Sequence, residues 1–480
     1  MERLDIRRLD PYRLEISRKP PMLTHGIVYA SVAIERTLGE DDALKQVADV
    51  ACLPGIVGPS IAMPDIHQGY GFPIGGVAAF SQERGIISPG GVGYDINCGI
   101  RCITTRIAHR ELSGSLGDLL ALLYAEVPSG VGSSTRSFRL GRKEFMRVLT
   151  DGARWALKQG LADAGDLEAH EDGGCIEGAD PQAVSERALE RGMPQLGTLG
   201  SGNHFLEIDV VDEVFDKDAA RSFGLEQGML AVLVHSGSRG LGHQVCDDYV
   251  HLMLAANQRH GIFLPDRQLA CAPLSSPEGR AYFGAMAAAA NFAFANRQIM
   301  THLVRQAFER FLGASWEKLG MNLLCDCCHN IAKKETITWE GSRVKVCVHR
   351  KGATRALPPG DGRLPARFRR TGQPVLVPGD MGRASYVLAG APGGAESFFS
   401  ACHGAGRLLS RRQAQKLARG RSIREELERR GILAMAASRS TLAEEMPEAY
   451  KDVEEVVTTV TGAGLARAVA RLRPLAMVKG

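Results

Sequence analysis

Apolar positions along this chain fall into two patterns. Short continuous apolar runs bounded by Gly, Pro or His read as buried strands. The run 231–235, AVLVH, is the clearest, ending on His235. Residues 102–107 and 344–350 share the pattern, and 375–388 reads as strand, Pro-Gly turn, strand. Longer stretches with helical spacing lie at 41–51, 111–128, 142–164, 279–312 and 416–430, the last basic, with an acidic helix start at 446–457. In 279–312 the pattern is Ala-rich and then amphipathic, which makes Phe292 and Phe294 core residues. Its apolar part, 281–295, is interrupted by Asn291 and is too short to span a bilayer.

Between these elements lie glycine-rich polar segments where chemistry can sit. Residues 63–80, MPDIHQGYGFPIGGVAAF, read as a loop followed by a buried strand, with Asp65 and His67 available for catalysis. Residues 90–101, GGVGYDINCGIR, set Asp95 and Cys98 three positions apart in a backbone rich in glycine. Residues 165–180 are acidic and read as an exposed loop. GTLGSGNHFLEI at 197–208 leads small residues into Asn203-His204, and SGSRGLGHQV follows His235. A histidine at the C-terminal end of a strand, just before a glycine-rich loop, is where α/β folds place ligand-binding groups. MNLLCDCCHN at 321–330 ends in His329-Asn330, HRKGATR at 349–355 reads as a basic turn, and SACHGAGRLLSRR at 400–412 sets His403 before Gly404 and Gly406. The final Lys479-Gly480 reads locally as a frayed end.

Composition narrows the picture modestly. Apolar content of 44% and charged content of 23% over 480 residues are those of a globular protein, and the net charge of +4 leaves any nucleic-acid surface to local clusters. Arginine is dense at 363–370 and 407–430. Eleven cysteines, an odd number without framework spacing, read as free thiols in a reducing cytoplasm. The opening MERLDIRRLDPYRLEI is charged throughout and reads as lacking a signal peptide.

The candidate ligands are more numerous than one tetrahedral site needs. Asp95, Cys98, His204, His235 and His329 offer oxygen, sulfur and nitrogen donors, and a thiolate can bridge. Two metals are therefore conceivable, the arrangement that clamps attacking and leaving oxygens in phosphoryl transfer. Donor softness points to Zn2+ first, with Mn2+ and Fe2+ open. Cys325, Cys327 and Cys328 lack the paired spacing of a structural zinc site, and His329 is the better ligand beside them. No P-loop is present, and GSRGLG does not follow the dinucleotide order of glycines. Glycine-rich turns at 90, 197, 237 and 404 can still present N–H groups to phosphates. A neutral His403 imidazole could attack phosphorus and split a transfer into two steps.

Ten segments occur in the order found in the RtcB family of RNA-splicing ligases, and the chain resembles that family over nearly its whole length. They are the stretches at 63–80, 90–101 and 196–208, LVHSGSRGLGHQV, CHNIA, HRKGATRA, VPGDMGRASYVL, HGAGR, PEAYKDVEEVV and the terminal Lys-Gly. The resemblance implies an α/β (α+β) fold, one domain over 1–480, with a central metal and nucleotide pocket built from glycine-rich loops. It implies a GTP- and Mn2+-dependent ligase that joins RNA 2′,3′-cyclic phosphate or 3′-phosphate ends to 5′-hydroxyl ends. His403 would become guanylylated, and GMP would pass to the RNA 3′-phosphate before the 5′-hydroxyl attacks.

By the same resemblance Asp95, Cys98 and His204 would hold one Mn2+, and Cys98, His235 and His329 a second, with Cys98 bridging. The GMP site would comprise Asn203, His204, Phe205, Leu206, Glu207, His329, Asn330, Pro378, Gly379, Asp380, Met381, Ser385, His403, Gly404, Ala405, Gly406 and Lys479, with Glu207 and Lys479 reading guanine. Arg239, Lys351 and Arg407 are expected on RNA phosphates. The RNA would be tRNA halves or cleaved RNA, with an archease-type activator as a possible partner. Asp380 departs from the family pattern, adding a negative charge beside GMP. The cysteines before His329 are also unusual. A metal-dependent phosphoesterase using the same two-metal site is the alternative; a third reading, a non-catalytic RNA-binding paralogue, predicts a broken ligand set, and here the set is intact.

Overall fold

The computed structural model describes residues 4–38, 42–135 and 138–480. The fold is mixed α/β. One seven-stranded sheet runs from the N-terminal hairpin through Ile56–His67 and Ile74–Ser81 to Ser342–Lys351 and Asn330–Trp339. An eight-stranded sheet has the order Asn322–Cys328, Gly99–Ala108, Met229–Ser236, Phe205–Val214, Ala466–Lys479, Ser385–Gly390, Pro374–Val377, with Leu433–Ala436 pairing in parallel on Ala466–Lys479. Its central strands pair antiparallel, so starts and ends of successive strands meet at one edge. Gly99 lies opposite both Ser236 and Cys328, and Phe205 opposite both His235 and Lys479. The motif residues at 98, 204, 235, 329 and 479 are thereby gathered at one end of the sheet.

The helix Pro277–Leu312 runs through the main core. Ser276 accepts from the Gly279 N–H at its start, and Gly313 ends it at φ 65°. Phe292 and Phe294 are core residues as expected. The helix is buried on nearly every side, so its polar residues are buried too. Asn296 accepts from the N–H groups of Gly197 and Thr198 and donates to the Thr198 and Gly237 carbonyls. The loops leading to His204 and away from His235 thus share one anchor. No helix among the described residues is long and apolar enough to cross a membrane.

Several expectations need correction. The 41–51 pattern is the helix Ala43–Val50, and Asp41 lies outside the described residues. The 111–128 pattern is a helix only over Leu116–Glu126. The pattern at 142–164 is broken by Gly152 at φ 58° into Arg142–Asp151 and Ala153–Lys158. The basic stretch 416–430 is likewise two short helices, Arg411–Leu417 and Ile423–Glu428, with Gly420 at φ 76° between them. Asp65 and His67 belong to a strand rather than a loop. The acidic segment 165–180 is not an exposed loop: Asp166 pairs with Arg305, and Glu171 with Lys333, in the interior. HRKGATR is not a surface turn but two buried strand segments joined at Gly352. The terminal lysine is the last residue of an interior strand, and Gly480 donates to the His204 carbonyl, so the end is not frayed.

Candidate active site

Five ligand-type side chains converge at the gathered strand ends. The ligand atoms of Cys98, His235 and His329 lie within 4.8 Å of one another, and so do those of Asp95, Cys98 and His204, with Cys98 common to both groups. Cys98 Sγ stands 3.4 Å from His204 Nε2 and 3.2 Å from His235 Nε2. His235 Nε2 and His329 Nε2 face each other at 3.2 Å, and His204 Nε2 donates to Asp95 Oδ2 at 2.8 Å. Burial, joined by neighbouring imidazoles, pushes His235 and His329 well below the usual histidine range, which leaves neutral rings with lone pairs. Burial raises Asp95, but the His204 hydrogen bond and the charges of His204 and Arg239 outweigh it and hold the carboxylate well down. Burial and the Asp95 charge push the Cys98 thiol up. Nitrogen, sulfur and oxygen donors crowded this closely match a divalent cation's requirements, and a bound cation deprotonates a coordinating thiol. The residues present fit one or two such ions. Cys325, Cys327 and Cys328 are in neither group: the first two pack in an apolar cluster with Cys102, Leu324 and Phe368, and Cys328 contacts Glu171 Oε2 at 3.1 Å.

Beside this centre is a cavity of about 270 Å³. His403 enters it 16% exposed, its ring centroid 4.8 Å from that of His329. Asp65 Oδ2 accepts from both the His403 backbone N–H, at 2.9 Å, and Nδ1, at 2.6 Å. That fixes the tautomer: Nδ1 carries the proton and Nε2 the lone pair. Gly406 makes the contact possible, since at φ 76° a Cβ there would lie 2.3 Å from the Asp65 carbonyl oxygen. His67, pushed down to about 4 by burial, lines the same cavity. Asp65 and His67 were legible as candidates for catalysis, but nothing in the sequence connects Asp65 to a histidine 338 positions away.

The expected nucleotide residues mostly meet at this cavity. Asn203 lines it from the turn before strand Phe205–Val214, Phe205 and Glu207 line it from that strand, Asn330 lies beside His329, and 378–381 with Ser385 form one wall. His403 to Gly406 and Lys479 close it. Leu206 does not reach it: alternation along the strand turns that side chain into the main core, 0% exposed. His204 sits with the ligand groups instead. Asp380 is engaged in its turn, accepting from the Gly382 and Arg383 N–H groups and pairing with the Arg383 side chain at 2.6 Å. These contacts offset its charge in part, and burial still pushes the carboxyl up. Lys479 Nζ donates to the Asn203 carbonyl and lies over the Phe205 ring at 5.2 Å.

The three cations expected on RNA diverge. Lys351 is 3% exposed, and its ammonium donates to the carbonyls of Tyr70, Phe72 and Gly90. It ties two motif loops together and has no path to a backbone phosphate. Arg407 lines the cavity, but its guanidinium donates to Glu445, the Tyr450 hydroxyl and the Glu444 carbonyl. Arg239 stands 3.3 Å from His204 Nδ1, with Nε unpartnered. Arg411, also at the cavity, is 59% exposed with Glu444 only at 3.9 Å, a cation the sequence did not single out from its arginine-dense stretch.

Relatives match this chain over nearly their full lengths. A family model described as tRNA-splicing ligase RtcB matches residues 46–480. A tRNA-splicing ligase RtcB of Thermococcus kodakarensis is 52% identical over 481 residues, covering 100% of both chains. One of Archaeoglobus fulgidus is 49% identical over 478 residues, 99% of each. An RNA-splicing ligase RtcB of Mycobacterium tuberculosis is 52% identical over 437 residues, 91% of this chain and 100% of that protein. With the ordered motifs, the gathered ligand set and identity at this level across the whole length, the chain belongs to the RtcB ligase family.

Proposed function

We propose that this chain is a GTP- and Mn2+-dependent RNA ligase. It joins RNA ending in a 2′,3′-cyclic phosphate or 3′-phosphate to RNA with a 5′-hydroxyl, as in tRNA splicing or RNA repair. The observation that carries this reading is the Asp65–His403 pair beside the ligand groups. Asp65 holds Nδ1, so Nε2 attacks the α-phosphate of GTP; a P–N bond forms, the bond to pyrophosphate breaks, and a guanylylated histidine results. GMP passes to the RNA 3′-phosphate, and Nε2 leaves as the neutral imidazole. The 5′-hydroxyl then attacks the activated phosphate and GMP departs. A cyclic phosphate is opened first. Two Mn2+ ions, held by Asp95, Cys98 and His204 and by Cys98, His235 and His329, would offset the negative charge that develops on phosphate oxygens.

Glu207 and Lys479 read guanine in this proposal. A carboxylate accepts from the N1 and N2 donors, which adenine does not present in that arrangement. Arg239 and Arg411 meet RNA phosphates. Residues 1–480 act as one unit, a reading supported by His67 and Lys479 lining one cavity. Eleven free, buried cysteines support a reducing cytoplasmic setting. An archease-type activator fits the same reading.

The test is incubation with α-labelled GTP and Mn2+, followed by denaturing electrophoresis. An acid-labile, alkali-stable label on the parent and none on His403→Ala is expected. A labelled His403→Ala protein would sink the nucleophile assignment. A parent that stays unlabelled yet cleaves phosphate esters would favour the phosphoesterase.

A further inference from the structure

The segment CDCC before His329 has a use that does not involve its cysteines. Asp326, at its centre, is fully buried between two arginines. Arg101 comes from the GGVGYDINCGIR motif and Arg297 from the long core helix. Arg297 Nε lies 3.1 and 3.0 Å from the two Asp326 oxygens, and Nη2 donates to Oδ1 at 2.7 Å. Arg101 Nε donates to Oδ2 at 2.8 Å.

What the pair leaves over is aimed at the ligand loops. Arg297 Nη1 donates to the Asn97 carbonyl at 2.7 Å and the Ser236 carbonyl at 2.9 Å, and Nη2 to Asn97 Oδ1 at 3.1 Å. Asn97 precedes Cys98, Ser236 follows His235, and Asp326 stands three residues before His329. One guanidinium therefore touches all three segments that carry one ligand group. Gly99 admits it: a Cβ there would sit 2.9 Å from Arg297 Cζ. A buried ion pair is no more stabilising than well-packed apolar residues. Apolar residues, however, cannot hydrogen-bond two carbonyls and fix their separation.

We propose that Arg297, locked by Asp326, is the positioning residue of the Cys98–His235–His329 group and preorganises it for a divalent cation. This rests on the metal reading of those side chains. Asp95 and His204 are held from elsewhere, by Ser238 and Arg239. The frame therefore reaches all three members of one ligand group and, through the shared Cys98, a single member of the other.

The test is a Co2+ titration of the full chain, followed by thiolate-to-metal absorption and by bound metal per chain. Arg297→Lys keeps the charge but cannot span both carbonyls. It is expected to weaken one binding step at least tenfold, within the 10–100-fold typical of residues that orient ligands. Arg305→Lys is the control. Arg305 lies on the same helix in an equally buried pair with Asp166 and touches no ligand loop, so it should leave the titration unchanged. If Arg297→Lys does not fold, Asn97→Gly replaces it. That variant retains the positive φ of 51° while removing the Oδ1 acceptor, and a weakening of threefold or more is expected. Parent-like Co2+ binding in the folded variant, or equal weakening in Arg305→Lys, overturns the inference. A parent that binds no Co2+ overturns the metal reading itself.

Discussion

Asp65 acts on His403 through one carboxylate oxygen that accepts two hydrogen bonds. Its removal frees the ring to rotate and to take the wrong tautomer. Asp65→Ala should therefore slow self-labelling by GTP about 10²-fold or more, read in single-turnover assays, without abolishing it as His403→Ala does. Asp209 gives a prediction of another kind. It is 0% exposed and shares a strand face with Glu207, whose carboxyl is its nearest titratable neighbour. Burial pushes it up to about 7. A carboxyl raised in the fold binds a proton that the unfolded chain has lost, so stability falls as pH rises from about 4 to 7. Asp209→Asn should melt higher than the parent at pH 8 and equal it at pH 4. A constant difference across that range would show that Asp209 is not the titrating group. At this scale the sequence showed which side chains could do chemistry. It could not show that Lys351 faces three carbonyls, because burial of a lysine is a tertiary outcome.

The elements were legible to different depths. Strands with continuous apolar runs, such as Met229–Ser236, were readable because burial on both faces leaves no polar positions. Helix breaks at Gly152 and Gly420 were not, because a glycine inside a helical pattern is compatible with continuation or with positive φ. The helix Pro277–Leu312 was readable as a helix, and Asn291 only as an interruption of its apolar run. In the fold the polar residues are its working positions, since they anchor loops. Asn296→Ala strands the N–H groups of Gly197 and Thr198. It should lower stability by about 1–3 kcal/mol for each group left unpaired, measured as a drop in thermal midpoint with the Asn203-His204 loop more open to proteolysis. Unchanged stability and protection would show that water replaces the side chain.

Across the whole molecule, the site is made by closing distances that the chain keeps long. Asp65 on one sheet meets His403, and Lys479 at the far end of the sequence meets Asn203. The last strand is an interior one, so its end is structural as well as chemical. Removing Lys479 and Gly480 deletes the Lys479 contact and the hydrogen bond to the His204 carbonyl. The truncated chain should label more slowly and with a weakened GTP-over-ATP preference, read by competition labelling; unchanged discrimination would show that the tail does not read guanine. The sequence by itself determined the inventory: candidate ligand types, a candidate nucleophile, glycine-rich turns and their order, all set by local chemistry. Only the tertiary structure decided which of these meet. Antiparallel pairing brought five strand ends to one edge, strand alternation sent Leu206 inward, and burial made Lys351 and Asp326 internal ties. Those outcomes depend on neighbours hundreds of residues away, and no local pattern encodes them.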